Sequence, residues 1–280
     1  MKTLSKTMCD SIQLKSILLL SLFSFLSVSY GQNLKLESFP GAPGVVYLDF
    51  DGESGFSGAP VSSVDPANVS NEWIEEIFYA IAEDYSPFNI NVTTDRSVYD
   101  EANRNSRQMV LFNTTYPAGP GVALVGSFGR SSDAPCFVRI DAAPIKIPMK
   151  AANVGSHEAG HTFGLVHDGK GTSVEYYSGH KEYRAIMGTV TNGYSQWSKG
   201  EYEGANNSED DLAIISKPTN NVGYRIDDHG DDINGSSVMV IQRDGSISEE
   251  KNHGIITGRT DLDLFKGSRR RGYKYYCSSC

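Results

Sequence analysis

Residues 156–169 read SHEAGHTFGLVHDG, with His157, Glu158, His161, Gly164 and His167 at fixed offsets. Histidines four apart on a helix project from one face, a turn above each other. Both imidazoles can then reach one zinc ion at about 2.0–2.1 Å. Glu158 follows the first histidine, so it can approach a water on the metal without ligating the metal itself. Gly164 tolerates the left-handed backbone that ends a helix, which lets the chain turn and bring His167 back as third ligand. Three protein ligands leave a fourth position open, the pattern of a catalytic zinc site rather than a closed structural one. The bland alternative is a histidine-rich helix end. HExxH alone arises by chance, but adding Gly164 and His167 lowers a chance match by roughly three orders of magnitude.

The rest of the chain is consistent with a folded enzyme. Its 280 residues suffice for one large domain or two small ones. The hydrophobic fraction of 39% and charged fraction of 21% are those of a globular protein. A formal charge of −9 argues against nucleic acid as a partner, since phosphate binding needs a basic face.

The amino terminus reads as an export signal. Lys2, Lys6 and Lys15 precede the apolar run SILLLSLFSFLSV (16–28), and small residues follow, with cleavage expected between Gly31 and Gln32. The run is short and wrongly flanked for a stable membrane anchor. The protein is therefore expected to be secreted or periplasmic. Beyond that signal lie Cys136, Cys277 and Cys280; the last two could pair in an oxidising compartment, leaving Cys136 free.

Periodicity predicts strands over 44–50, 88–94, 107–115, 121–128 and 135–141. NEWIEEIFYAIAEDY (71–85) carries Trp73, Ile74, Ile77, Phe78 and Ile81 at helical spacing, with Ser70 as N-cap. A helix from about Ala151 to Leu165 carries the histidines. This order implies an α/β or α+β layer with a mixed sheet. After Ile215 Gly, Asp and Asn become frequent, and only 236–242 and 254–265 look sheet-like. A boundary is expected near Lys217–Asn221, giving a signal (1–31), a catalytic domain (32–218) and a β-rich C-terminal segment (219–280).

HEAGHTFGLVHD resembles the extended zinc motif of the metzincin metalloproteases. Met187, in YRAIMGTV (183–190) and twenty residues after His167, fits the methionine turn that this family places beneath its metal; alone it would read as an ordinary core methionine. YLDFDG (47–52), EDYSPFNINVTTD (83–95), VGSF (125–128) and QWSKGEY with NNSEDDLAII (196–215) resemble segments of secreted bacterial metzincin-like proteins, over about 44–230. The resemblance implies an α+β fold: a two-lobed catalytic domain with a mixed twisted sheet and an active-site helix, followed here by an incomplete β-rich segment. It also implies His157, His161 and His167 as zinc ligands, Glu158 as the base that activates a zinc-bound water, and Met187 as the floor. One departure is Thr189, two residues after the methionine, where some metzincins carry tyrosine. Asp168 either buttresses the turn or makes simple helix-end hydrogen bonds.

The expected activity is zinc-dependent endopeptidase hydrolysis of protein or peptide substrates. In the resembled family an extended substrate adds as a strand on the sheet edge, and 125–138 is the expected source of that edge, with an ordinary strand and connection of similar weight. The rivals are a catalytically silent zinc-binding or adhesive module, which intact Glu158 argues against, and a zinc amidase acting on non-protein polymers. The acidic stretches RIDDHGDDINGSS (225–237) and SEDD (208–211) could hold calcium, although they lack the EF-hand order and acidic loops are usually just solvated. TDLDLF (260–265) resembles the opening of small β-sandwich domains appended to bacterial peptidases, which need further strands. The basic tail after Phe265 is expected to be poorly ordered. Oligomeric state is not readable from the sequence.

Overall fold

The computed structural model describes residues 34–56, 59–130, 132–142, 145–190, 193–248, 251–269 and 272–278, with side chains as far as Gly267. The export signal, and any pairing of Cys277 with Cys280, lie outside the described residues and side chains.

Strand β1 (Gly44–Asp49) opens the main sheet. The two-residue strands β2 (Glu53–Ser54) and β3 (Ser63–Val64) pair as a small ribbon. Helix α1 (Asn71–Asp84) follows, and the Ser70 side chain accepts from the Trp73 N–H at its start. Then come β4 (Ile90–Thr93), a short helix α2 (Arg96–Glu101), β5 (Arg107–Asn113), β6 (Gly121–Val122) and β7 (Cys136–Arg139). Helix α3 (Pro148–Phe163) carries the zinc motif.

The sheet order is β4-β1-β5-β7-β6. The first four strands run parallel, and β6 pairs antiparallel with β7 at the edge. Because strand side chains alternate, Val46, Leu48, Val92, Val110 and Phe112 face one core with α1 and α3. Val45, Tyr47, Met109, Leu111 and Phe137 face a second core with Tyr99 of α2 and Val64 of β3. Burial on both faces explains why GVVYLD and MVLF read as unbroken apolar runs. Gly155 brings α3 close to its neighbours: a Cβ there would stand 2.8 Å from Ile81 Cδ1 and 3.0 Å from Phe112 Cζ.

Below α3 the chain carries less regular structure: the parallel pair β8 (Tyr183–Ala185) and β9 (Tyr194–Gln196), then helix α4 (Asp211–Ile215). Asn220 Nδ2 donates to the carbonyls of Phe163, Ile214 and Ile215. Val222 is buried in the main core, and the Arg225 guanidinium lies 4.0 Å over the Phe39 ring.

In the C-terminal segment β10 (Ser237–Val238) runs parallel to β11 (Asp263–Arg269), which pairs antiparallel with β12 (Gly272–Ser278). The strands expected over 236–242 and 254–265 are therefore shorter. Of the basic tail, 266–269 continue β11 and 272–278 form β12. Among the described residues, no helix is long and apolar enough to cross a membrane.

Candidate metal centre

Helix α3 begins three residues before the expected start, with Pro148 in its first turn, where the missing N–H costs nothing. It ends at Gly164, whose φ of 112° is a conformation L side chains rarely adopt. The Leu165 N–H donates to Gly160 O at 3.3 Å, and the Gly164 N–H to His161 O at 2.9 Å, closing the last turn.

That geometry returns His167 to the helix. Nitrogens of His157, His161 and His167 all lie within 4.8 Å of one another. Each ring is held from behind. The Nδ1 of His157 lies 2.9 Å from Ile186 O, and that of His161 2.8 Å from Leu165 O. The Nδ1 of His167 lies 3.0 Å from Glu175 Oε1. Carbonyl and carboxylate oxygens only accept, so each Nδ1 carries the proton and each Nε2 presents a lone pair. His161 Nε2 and His167 Nε2 stand 3.0 Å apart. With both Nδ1 atoms protonated, a cation between the two Nε2 atoms would satisfy their lone pairs. The donor set, three neutral imidazoles each oriented by a hydrogen bond, fits zinc.

Electrostatics keep His157 and His161 neutral, as ligation requires. Burial, helped by the nearby His161, pulls His157 down to about 3, and burial lowers His161. Burial pushes the Glu158 carboxyl up to about 8. Glu158 is packed beneath β6: a Cβ on Gly121 would overlap its carboxylate.

Met187 is fully buried under α3, where a Cβ on Gly160 would stand 2.8 Å from its Sδ. Its carbonyl accepts from the Asp168 N–H at 2.9 Å. Asp168 itself is 1% exposed, and burial pushes its carboxyl up to about 6 against a hydrogen bond with Ser198.

Residues 72–199 match the model of Metallo-peptidase family M12. The M12 match covers α1, most of the sheet, the histidine helix and the Met187 turn. It agrees with the metzincin-like resemblance, and with the histidine cluster it supports a zinc protease at the level of the family. No curated protein matches the chain.

Of the two readings of 125–138, the ordinary strand and connection holds, since 136–138 lie in β7 inside the sheet. The sheet edge is β6, Gly121–Val122, and not a strand within 125–138. Residues 124–130 turn instead, tied to the end of α3 by Gly126 N–H to His161 O at 2.8 Å and Phe128 N–H to Thr162 O at 2.9 Å.

Glu175, Tyr176 and Asp84 were not legible from spacing. Glu175 holds His167, and the Tyr176 ring lies 4.3 Å from the His167 ring. Thr189 donates its hydroxyl to Tyr176 O at 3.0 Å. Asp84 accepts from Ser156 Oγ at 2.6 Å and Ser195 Oγ at 3.1 Å, and its carbonyl accepts from Trp197 Nε1 at 2.5 Å. This links α1, α3 and β9 around one buried carboxyl, which burial raises to about 6.

Proposed function

We propose that this chain is an exported zinc endopeptidase of the metzincin type, with its catalytic region within residues 32–218 and a β-rich segment after it. The observation that carries the reading is the convergence of three Nε2 lone pairs, each set by a hydrogen bond at Nδ1, with Glu158 beside them under a sheet edge.

His157, His161 and His167 would hold the metal. Bound there, zinc supplies a Lewis acid that polarises the scissile carbonyl and draws the pKa of water toward neutrality. Glu158 takes the proton of the attacking water and hands it to the leaving amine. Met187 and Ile186 hold the floor, and Glu175 fixes the outermost ligand. β6 pairs on one side only, and Val122, Leu124 and Val125 beside it are exposed apolar residues. An extended peptide can pair with that free edge and lay apolar side chains on this rim. The amino-terminal lysines and apolar run support export.

The test is cleavage of a mixed peptide library by the zinc-loaded protein beside folded, zinc-loaded Glu158→Ala. Cleavage lost in the variant supports the reading. Bound zinc without cleavage by either protein would overturn it, and activity on cell-wall fragments alone would favour an amidase.

A further inference from the structure

We propose that Asp227, Asp228, Asp231, Asp261 and Asp263 form a calcium site that fastens the acidic loop of the C-terminal segment to the start of β11. Carboxylate oxygens of Asp227, Asp228 and Asp263 lie within 4.8 Å of one another, as do those of Asp227, Asp231 and Asp261. Asp227 belongs to both groups, so the five carboxylates form one continuous cluster.

Clustering of acids on a loop would mean little by itself. The deciding observation is Asp263, whose side chain is 0% exposed while neither of its oxygens has a hydrogen-bond partner. Asp261 Oδ1 is buried and unpartnered as well. A buried carboxylate without donors is costly, and in a native fold it calls for an ion or a protein partner. Surrounding backbone N–H groups and one hydroxyl meet other oxygens of the cluster. Asp261 Oδ2 accepts from Thr257 Oγ1 at 2.8 Å, Asp228 Oδ1 from the Ile255 N–H at 3.3 Å, and Asp231 Oδ1 from the Leu262 N–H at 2.8 Å. The inner oxygens are left to each other.

The nearest cationic side chains leave the inner oxygens of Asp263 unmet: His229 comes to 3.9 Å from Asp228 Oδ2 through Nε2, but both its nitrogens have closer partners. His229 Nδ1 lies 2.7 Å from Ser237 Oγ, and its Nε2 lies 3.1 Å from His253 O. Arg225 lies over Phe39 and donates through Nε to Phe88 O at 3.1 Å. Burial and the charges of Asp228 and Asp261 push the Asp263 carboxyl up to about 6. Gly254 completes the pocket: a Cβ there would overlap the Asp263 carboxylate, so only glycine lets the chain lie against it.

With both His229 nitrogens taken, every donor offered is oxygen, which excludes a second zinc site of the first kind. Calcium accepts six to eight such oxygens in flexible geometry, whereas magnesium demands a near-ideal octahedron and keeps its waters. The crowded, irregular carboxylates suit calcium.

The test is calorimetric titration of calcium chloride into the chelator-stripped, zinc-replete full chain. Matched magnesium titrations, thermal unfolding and zinc content are measured on the same samples. We expect saturable calcium binding with Kd of order 10⁻⁴ M and a Tm rise of roughly 5 °C at about 10 mM calcium, with zinc content unchanged. Asp263→Asn should lose the shift. Asp227→Asn, at an exposed position where folding is not at risk, should weaken binding at least about tenfold. Asp232→Asn, outside the cluster, should bind like the parent. No saturable binding by the parent, unchanged binding by Asp227→Asn, or magnesium matching calcium would overturn the proposal. So would a parent indifferent to calcium whose Asp263→Asn variant is more stable, because the carboxyl would then simply be protonated.

Discussion

The Nδ1 of His157 lies 2.9 Å from the carbonyl oxygen of Ile186, the residue before Met187. One turn of backbone therefore orients the first ring of the cluster, while the next carbonyl, that of Met187, accepts from the Asp168 N–H beside the third ring. The methionine side chain is fully buried. It fills the space that Gly160 leaves under α3, and so fixes the height of the turn against the helix.

Met187→Ala should leave a cavity in that space. The expected cost is roughly 2–5 kcal/mol of stability, with faster zinc loss because Ile186 O moves from His157. Met187→Leu conserves volume and should cost less than about 1.5 kcal/mol. Urea unfolding and metal analysis of the zinc-loaded proteins check this. An alanine variant as stable as the parent would show that the turn holds itself.

Glu175 is exposed, yet its carboxylate holds the Nδ1–H of His167 at 3.0 Å. Glu175→Ala should weaken zinc binding about 10–100-fold, as loss of such partners does, without moving the Tm of the metal-free protein. Competition against a chromogenic chelator measures it. Equal affinities would mean that the Tyr176 ring alone orients His167.

Much of this arrangement was legible in the sequence. β1, β4 and β5 announce themselves because parallel strands buried on both faces are apolar throughout, and α1 because one face is. The histidine spacing and Gly164 carry the cluster, since a helix and a left-handed end leave little freedom. The sheet edge was open to two readings because Leu124 and Val125 look like strand interior but are 51% and 46% exposed. Short elements such as α2, capped by the Asp95 side chain, are set by local hydrogen bonds with no periodicity to read. Glu175, Tyr176 and the Asp84 network meet the site through tertiary contacts, to which spacing along the chain is blind.

Asp211 predicts a pH dependence. Its Oδ2 accepts from the Ser198 N–H at 2.8 Å, but burial first, then the charges of Asp168 and Glu209, raise its carboxyl to about 8. The folded state then holds a proton that the unfolded chain releases near the ordinary carboxyl value of 3.8. The native state binds more protons across that window, so this group's contribution makes stability fall as pH rises toward about 8. With zinc in excess, urea midpoints should decline between about pH 5 and pH 8 and level off above, and Asp211→Asn should flatten the slope. A slope unchanged in the variant would assign it to another group.

At Gly164 the backbone φ is 112°, where an added side chain is strained whatever the room around it. The nearest atom to a new Cβ, Lys217 Nζ at 3.2 Å, can move away, so the penalty is conformational. Gly164→Ala should cost about 1–2 kcal/mol and weaken zinc binding by displacing His167. Parallel unfolding and chelator titrations would show a loss of both; a stability loss with zinc affinity intact would place the His167 approach under the control of Glu175 instead.

The edge strand β6 lies against Glu158. A Cβ at Gly121 would overlap the Glu158 carboxylate and stand 2.7 Å from Val154 Cγ1, whereas a Cβ at Gly119 would meet nothing within 4 Å. Gly121→Ala must therefore either lift β6 or swing the base, and both disturb the step in which Glu158 moves a proton. The histidines are held from their far sides and should be untouched. We expect kcat/KM to drop by about 100-fold, the scale of an ångström's misplacement at a reacting centre, with zinc content equal to the parent and Gly119→Ala fully active. If Gly121→Ala cleaves peptides as well as the parent, β6 does not fix the position of the base. The substrate path would then have to be sought away from this edge.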